Sequence, residues 1–176
     1  MRIESWTSAL APRNAELVAA IEARRGGALY NLDRMLLWSE PLARGWNVYL
    51  RALRQELSLS PFLRELAICV VARLTGAEYE IHHHAPELKK SGATESQLSA
   101  LADPDAAARS TQFDELQQMV IRFAIASTRQ VQVPEPVFAA LKQRIAPTEL
   151  VELVAVTAAY NMVARFLVAL EVTPES

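Results

Sequence analysis

Apolar residues recur every three or four positions along almost the whole chain, and this spacing limits what the chain can fold into. Residues at that spacing share one face of an α-helix, whereas a half-buried strand needs an alternation of period two. No alternating β-branched run and no Asn-Gly turn interrupts the pattern. The sequence therefore predicts an all-α helical bundle of roughly seven or eight helices.

The composition is typical of a soluble protein that buries one core. Apolar residues make up 51% of the chain, and its net charge is −2. A chain of 176 residues suits one domain, so we expect residues 1–176 to form a single domain. The lack of a basic excess predicts no nucleic-acid partner. The opening "MRIESWTSALAP" has no apolar run of signal-peptide length, which favours a cytoplasmic location.

Prolines and glycines mark most of the predicted helix ends, because proline fits the first helical position and glycine the position after the last. The predicted starts are Pro12, Pro41, Pro61, Pro134 and Pro147, and the predicted ends include Gly26, Gly76 and Gly92.

Two polar patterns also resemble helix N-terminal caps: Thr94 with Gln97, and Thr111 with Asp114. The second predicts a long helix over residues 112–129. The stretch 103–110 is predicted to be a mobile loop.

Two apolar segments need separate interpretations. The helix "PFLRELAICVVARLT" is apolar nearly all round, which predicts a place in the middle of the core. The C-terminal "ELVELVAVTAAYNMVARFLVALEV" is long enough to cross a bilayer, but Glu152, Asn161 and Arg165 would be costly there. We therefore expect a buried helix and no membrane partner. Because this helix is apolar on more than one face, we also predict a homo-oligomer.

The chain's only histidines are three consecutive residues, His82, His83 and His84. Consecutive helical residues point about 100° apart, so the three cannot share one metal ion. At most, Glu80 pairs with His84, or His83 with Glu87. Two ligands fall short of the four usual in a structural zinc site, so no native metal site is predicted.

Glu80 and His84 do share a face, with Ala77, Ile81 and Leu88, and the apolar members of this face predict that it points inward. The preceding apolar helix carries one carboxylate, Glu65, which needs a partner if it is buried. In an antiparallel hairpin turning at Gly76, Glu65 and His84 would differ in height by roughly 4–5 Å. The sequence therefore predicts that Glu65 meets His84, with Glu80 nearer the turn.

The stretch "RELAICVVARLTGAEYEIHHHAPELKKSG" resembles the carboxymuconolactone decarboxylase-like family, which includes the alkyl hydroperoxidase D-like peroxidases. The similarity extends to "YNLDRMLLWSEPLARGWNVYLRALRQELSLSPFLRE" and to the C-terminal helix, covering residues 29–172. The resemblance implies the alkyl hydroperoxidase D-like fold, a homo-oligomer and no cofactor.

In the peroxidase branch a glutamate is followed by a Cys-x-x-Cys pair and then a histidine. Laid on this chain, that spacing puts the glutamate on Glu65 and the histidine on His84, but the two cysteines on Ala77 and Glu80. The chain thus resembles a subgroup that lacks the thiols. The resemblance implies lyase-like acid–base chemistry on a small organic acid or lactone. A peroxidase with a degenerate thiol site and a non-catalytic binding member are the alternatives.

The candidate catalytic residues are accordingly Glu65, Glu80 and His84, and the candidate pocket residues are Cys69, Tyr79 and Trp46. Each also has a structural interpretation. Glu65 and His84 could form a buried pair that only fixes helix register. Burial and a carboxylate neighbour would raise the pKa of the Cys69 thiol, which favours a structural cysteine. Trp46 could fill core, and Asn161 is expected to bond a neighbour.

Overall fold

The computed structural model describes residues 1–175, and every regular element in that range is a helix. In chain order the ten helices are α1 (Ala15–Arg25), α2 (Asn31–Leu36), α3 (Glu40–Gln55), α4 (Pro61–Thr75), α5 (Glu78–Lys90), α6 (Glu95–Ala100), α7 (Pro104–Ala107), α8 (Glu115–Gln130), α9 (Glu135–Lys142) and α10 (Pro147–Leu170). The all-α prediction is confirmed, but the helix count exceeds the predicted one.

The segment predicted to be a mobile loop is the clearest correction, because it contains α7. Asp103 Oδ1 accepts hydrogen bonds from the backbone N–H groups of Asp105 and Ala106, at 3.0 and 3.1 Å. Ala107 is completely buried. A helix of four residues is too short to show a 3.6-residue period, so the sequence pattern did not reveal it.

Two helix starts also differ from the prediction. The first helix begins after Asn14 rather than at Pro12, since the Asn14 side chain accepts a hydrogen bond from the Leu17 N–H. The long α8 is capped by a reciprocal pair of Asp114 and Gln117, not by Thr111. In contrast, Thr94 and Gln97 form the predicted capping box of α6.

The described residues fall into two compact units, Met1–Glu56 with the C-terminal residues from Ala169, and Leu57–Val168. In the first unit, α1 and α2 are joined by ion pairs from Arg24 and Arg25 to the buried Asp33. The expectation of a single domain stays a prediction.

In the Leu57–Val168 unit, α4 lies in the middle of the core, as predicted. Six of its residues are completely buried: Leu66, Ala67, Ile68, Val70, Val71 and Ala72. Ser60 caps its start by accepting a hydrogen bond from the Leu63 N–H at 3.3 Å. At its end Gly76 adopts the left-handed conformation, with φ 68°, that lets the chain reverse into α5. The two helices form an antiparallel hairpin.

The last helix, α10, has one face in the core and another exposed. Among residues 1–175 it is the one helix whose length and composition would allow it to cross a membrane, and half of its apolar window is buried within the protein. A core helix passes the same test. Asn161 donates hydrogen bonds to Thr128 Oγ1 and to the Thr157 carbonyl, each at 3.0 Å, so it bonds neighbours as expected. Val151, Met162 and Val168 are exposed apolar residues of the other face.

Candidate active site

The carboxylate of the candidate site comes from the middle of the apolar helix α4. Glu65 is only 2% exposed, although it is a residue that carries charge. Burying an ionised carboxylate is costly unless it is paired and hydrogen-bonded. The partners of Glu65 therefore decide whether it can keep its charge.

His84 of α5 is the first of these partners. Its Nδ1 lies 2.6 Å from Glu65 Oε2, and His84 is itself 5% exposed. This is the contact that the hairpin geometry predicts. A distance this short is typical of a charge-assisted hydrogen bond.

Arg64 is the second partner, and sequence reasoning missed it. Its Nε donates to the other Glu65 oxygen, Oε1, at 3.1 Å, and its side chain is 15% exposed. Neighbouring helical residues point about 100° apart, so nothing in the spacing predicts that they meet. A cation directly before a buried carboxylate is the signal that could have indicated it.

These contacts determine the protonation of the pair. Burial raises the pKa of Glu65, but the hydrogen bond and charge of His84, together with Arg64, outweigh it and hold that pKa below its ordinary value. Glu65 is then ionised at neutral pH and can only accept hydrogen bonds. His84 Nδ1 must therefore carry a proton and donate it to Glu65. In the neutral form of His84, the basic nitrogen is then Nε2.

Tyr160 of α10, from a distant part of the sequence, packs against the imidazole of His84. Its ring meets the His84 ring edge to face, with centroids 4.9 Å apart and an interplanar angle of 89°. Tyr160 is 1% exposed. Aromatic pairs of this geometry are favourable beyond the area they bury. No short-range pattern links residues 76 positions apart in the chain, so the sequence offered no signal for this contact.

Cys69 and Glu80 belong to the same buried cluster. Cys69 is 2% exposed and follows Glu65 by one helical turn; Glu80 is also 2% exposed. Burial raises the pKa of the Cys69 thiol, and the charges of Glu65 and Glu80 raise it further. The thiolate is the reactive form of cysteine, so burial and the two carboxylates disfavour reaction at Cys69. The catalytic role of Glu80 stays a prediction.

Tyr79 and Trp46 are the remaining candidate pocket residues. Tyr79 is buried, and its ring packs against that of His83 with centroids 4.5 Å apart. His83 is half-buried and His82 is exposed. Trp46 is half-buried on α3, in the other compact unit, and its role in a pocket stays a prediction.

Within residues 1–175, no group of three or more His, Cys, Asp or Glu side chains is arranged to hold a metal ion. The cluster is instead suited to proton transfer, because it joins an ionised carboxylate to an imidazole away from bulk water.

The chain was compared with protein families and with curated proteins. Residues 40–112 match the Carboxymuconolactone decarboxylase family. This segment contains Glu65, Glu80 and His84. No curated protein matches the chain by sequence.

Solved structures with the same fold cover almost the entire chain. An alkylhydroperoxidase AhpD core protein from Ralstonia eutropha JMP134, described as peroxidase-related, has a TM-score of 0.82 at 16% identity, with 99% of this chain and 92% of that chain covered. A peroxidase-related protein from Silicibacter sp. TM1040 has a TM-score of 0.78 at 16% identity, covering 100% and 90%. The debrominase Bmp8, in complex with 2,3,4-tribromopyrrole, has a TM-score of 0.79 at 15% identity, covering 100% and 92%.

Fold and site together define an all-helical protein of the alkyl hydroperoxidase D-like type that has a buried Glu–His pair and a single cysteine. Residues 40–112 are similar to the Carboxymuconolactone decarboxylase family, and the fold is that of the alkyl hydroperoxidase D-like structures. At 15–16% identity the solved structures establish the fold of this chain but not its activity.

Proposed function

We propose that this protein is an enzyme that performs acid–base chemistry on a small organic acid or lactone, with Glu65 and His84 as its proton relay. The observation that carries the proposal is the buried 2.6 Å contact between these residues, inside the segment that matches the family. Two further features support it. The single cysteine cannot form a Cys-x-x-Cys pair, and the pKa of that thiol is raised.

His84 is the group that exchanges the proton. Nδ1 is engaged with Glu65, so exchange with a substrate would take place at Nε2. The negative charge of Glu65 stabilises the imidazolium that forms when Nε2 takes up a proton. After His84, Arg64 is the second influence that lowers the pKa of Glu65. Tyr160 packs against the imidazole ring, and we assign both Arg64 and Tyr160 as positioning residues.

A decarboxylation shows how the relay would act. The bond between the carboxylate carbon and the adjacent carbon breaks, carbon dioxide leaves, and the adjacent carbon keeps the electron pair. The imidazolium of His84 gives that carbon a proton from Nε2 and becomes neutral, and solvent then restores the proton. Glu80 is proposed as a second proton carrier in the same cluster. Positioned proton transfer of this kind contributes a factor of roughly 10²–10⁴ to the rate.

The test is turnover of a panel of small carboxylated lactones and β-keto acids, with carbon dioxide release and lactone consumption measured. We expect turnover by the wild type and a loss of roughly 10²–10⁴-fold in kcat for His84→Gln. Asp105→Asn, which removes an exposed carboxylate in the same unit, is the matched control and should keep full activity. Equal rates for wild type and His84→Gln on a substrate that is turned over would exclude the relay.

Hydroperoxide reduction is the competing chemistry, since two similar structures are named peroxidase-related. It needs a thiolate and a second thiol to resolve the oxidised intermediate, and this chain has one buried cysteine. We expect no reduction of an alkyl hydroperoxide with a dithiol reductant. Robust turnover that Cys69→Ser abolishes would instead establish a thiol peroxidase.

We also propose that the protein is a homo-oligomer. The exposed face of α10 carries Met162, which is 42% exposed, and Val168, which is 46% exposed. Apolar side chains on a helix face outside the core favour association with another copy. Light scattering at micromolar concentration should give more than the monomer mass of 19.5 kDa. Met162→Glu should reduce the assembled mass, and a monomeric wild type would refute the proposal.

A further inference from the structure

A groove separate from the Glu65–His84 cluster lies where α9 leads into α10. Its volume is about 290 Å³. Small-molecule pockets in proteins have volumes of roughly 300–1,000 Å³, so the groove suits a small ligand. It is lined by Phe138, Lys142 and Ile145, and by Pro147, Leu150, Val151 and Val154 of α10. Val151 also belongs to the exposed face of α10.

The floor and walls of the groove are apolar, and most of them pack against the core. Leu150 is 7% exposed and belongs to the core of the Leu57–Val168 unit. Phe138 and Ile145 are half-buried and pack against the same core. Val154, at 39% exposed, forms the outer wall. An apolar ligand body in this groove would bury its own surface and that of Val154, and such burial is favourable.

Lys142 gives the groove its polarity, because it is the charged member of the lining. It is exposed, and no carboxylate within residues 1–175 pairs with it. The neighbouring charged groups are engaged elsewhere. Arg144 pairs with Glu115 at 2.6 Å, and Glu149 accepts the Ala146 N–H at 3.0 Å.

Glu152, the next carboxylate along α10, is engaged as well. It accepts hydrogen bonds from the backbone N–H groups of Ser58 and Leu59, at 3.1 and 2.7 Å, in the segment that precedes α4. The rim of the groove therefore presents one positive charge that lacks a counter-ion among the described residues.

We propose that this groove is a second binding site, for a small monocarboxylate with an apolar body. The apolar part would lie against Phe138, Leu150 and Val154, and the carboxylate would pair with the ammonium group of Lys142. The long lysine side chain can reach over the apolar body while its charged end stays in water. One positive charge beside an apolar concavity selects against cations and against ligands with several charges.

The probe for this site is octanoate, followed by the chemical shifts of backbone amides in the intact protein. Octanol has the same apolar body without the charge, and octylammonium carries the opposite charge. We expect octanoate to shift amide signals of residues 138–154 with an affinity of roughly millimolar, as suits about ten heavy atoms. Octanol should bind more weakly, and octylammonium weakest.

Two variants separate the charge from the groove. Lys142→Gln should weaken octanoate roughly two- to fivefold, which is what an exposed ion pair contributes, and leave octanol unchanged. Val154→Trp fills the groove from its exposed wall and should abolish binding of both. Lys89→Gln removes an exposed lysine of α5 and should change neither affinity. Far-ultraviolet circular dichroism verifies that each variant is folded.

Other outcomes would overturn the proposal. If Lys142→Gln leaves octanoate binding unchanged, the groove holds apolar compounds without recognising a carboxylate. If octanoate does not bind and Val154→Trp lowers the assembled mass, the groove is a contact between copies of the chain. These variants leave Glu65 and His84 in place, so turnover tests the proposed function independently.

Discussion

Two contacts of a carboxylate with a nitrogen-bearing side chain in the Leu57–Val168 unit have nearly the same length but opposite surroundings. Glu65 Oε2 lies 2.6 Å from His84 Nδ1, and Asp105 Oδ2 lies 2.7 Å from Arg129 Nη2. The Glu65 and His84 side chains are 3% and 6% exposed, whereas those of Asp105 and Arg129 are 48% and 47% exposed. The shortest distances are therefore similar, but the Glu65–His84 contact is buried and the Asp105–Arg129 contact is half exposed.

The same direction of pKa shift has different causes in the two contacts. The pKa of Asp105 is lowered first by its hydrogen bond from Arg129. For Glu65, burial is the largest influence and raises the pKa, and only the combined effect of His84 and Arg64 reverses it. Asp105 would stay ionised in water by itself, but Glu65 depends on its partners. That dependence makes the buried contact a candidate for function and leaves the exposed one a surface ion pair.

Removing the buried carboxylate should have the largest effect. Glu65→Ala leaves His84 and Arg64 without their acceptor inside the core, and we expect a loss of about 3–5 kcal/mol in the free energy of unfolding. Asp105→Ala is the matched change at the surface and should have little effect. Urea unfolding of both variants measures the difference. Similar losses for the two variants would show that burial does not distinguish the contacts.

The coupling between Glu65 and His84 should appear in histidine titrations. Glu65→Gln keeps the shape of the side chain and removes its charge, which no longer stabilises the imidazolium. The His84 titration curve followed by NMR should then move to lower pH. Asp105→Asn is the matched control and should leave the His84 curve in place. An unmoved His84 curve would refute the relay.

Acid should weaken the buried contact in a defined range of pH. The pKa of Glu65 is lower in the folded protein than in the unfolded chain, so its contribution to stability is complete above its ordinary value of about 4.3. The contribution is lost as the pH falls from there through the folded-state value. Between pH 5 and 3, the stability of wild type should therefore approach that of Glu65→Gln. If the unfolding midpoints of wild type and Glu65→Gln fall in parallel over this range, the pKa of Glu65 is not lowered by folding.

The exposed contact should give the smallest effect, and one that salt removes. Arg129→Gln breaks a pair that is about half exposed, and ions screen such pairs. We expect a slight loss of stability at low ionic strength that vanishes in about 1 M sodium chloride. The loss caused by Glu65→Ala should persist in the same salt. If the loss of stability in Arg129→Gln persists in high salt, the two contacts do not differ in their screening by ions.

The sequence also predicted the helices unequally. Helices α4 and α5 match it closely, because the Ser60 side chain caps a backbone group three residues away and Pro61 and Gly76 act through their own backbone. None of the three needs a distant partner. The sequence did not predict α7, because a helix of four residues has no readable periodicity. It is held by the Asp103 cap, by burial of Ala107 and by the Arg129–Asp105 pair. Short helices of this kind depend on contacts that local periodicity does not contain.

For the candidate site, sequence reasoning was sufficient to predict which carboxylate meets which imidazole. The residues lie on one hairpin, so helix rise and the position of Gly76 were sufficient to set Glu65 opposite His84. The way in which that pair is held depends on the tertiary structure. Tyr160 of α10 packs against the imidazole of His84. Cys69 is buried within the influence of the Glu65 and Glu80 carboxylates. These features arise from packing between helices distant in sequence, and packing sets the burial and charge on which a pKa depends.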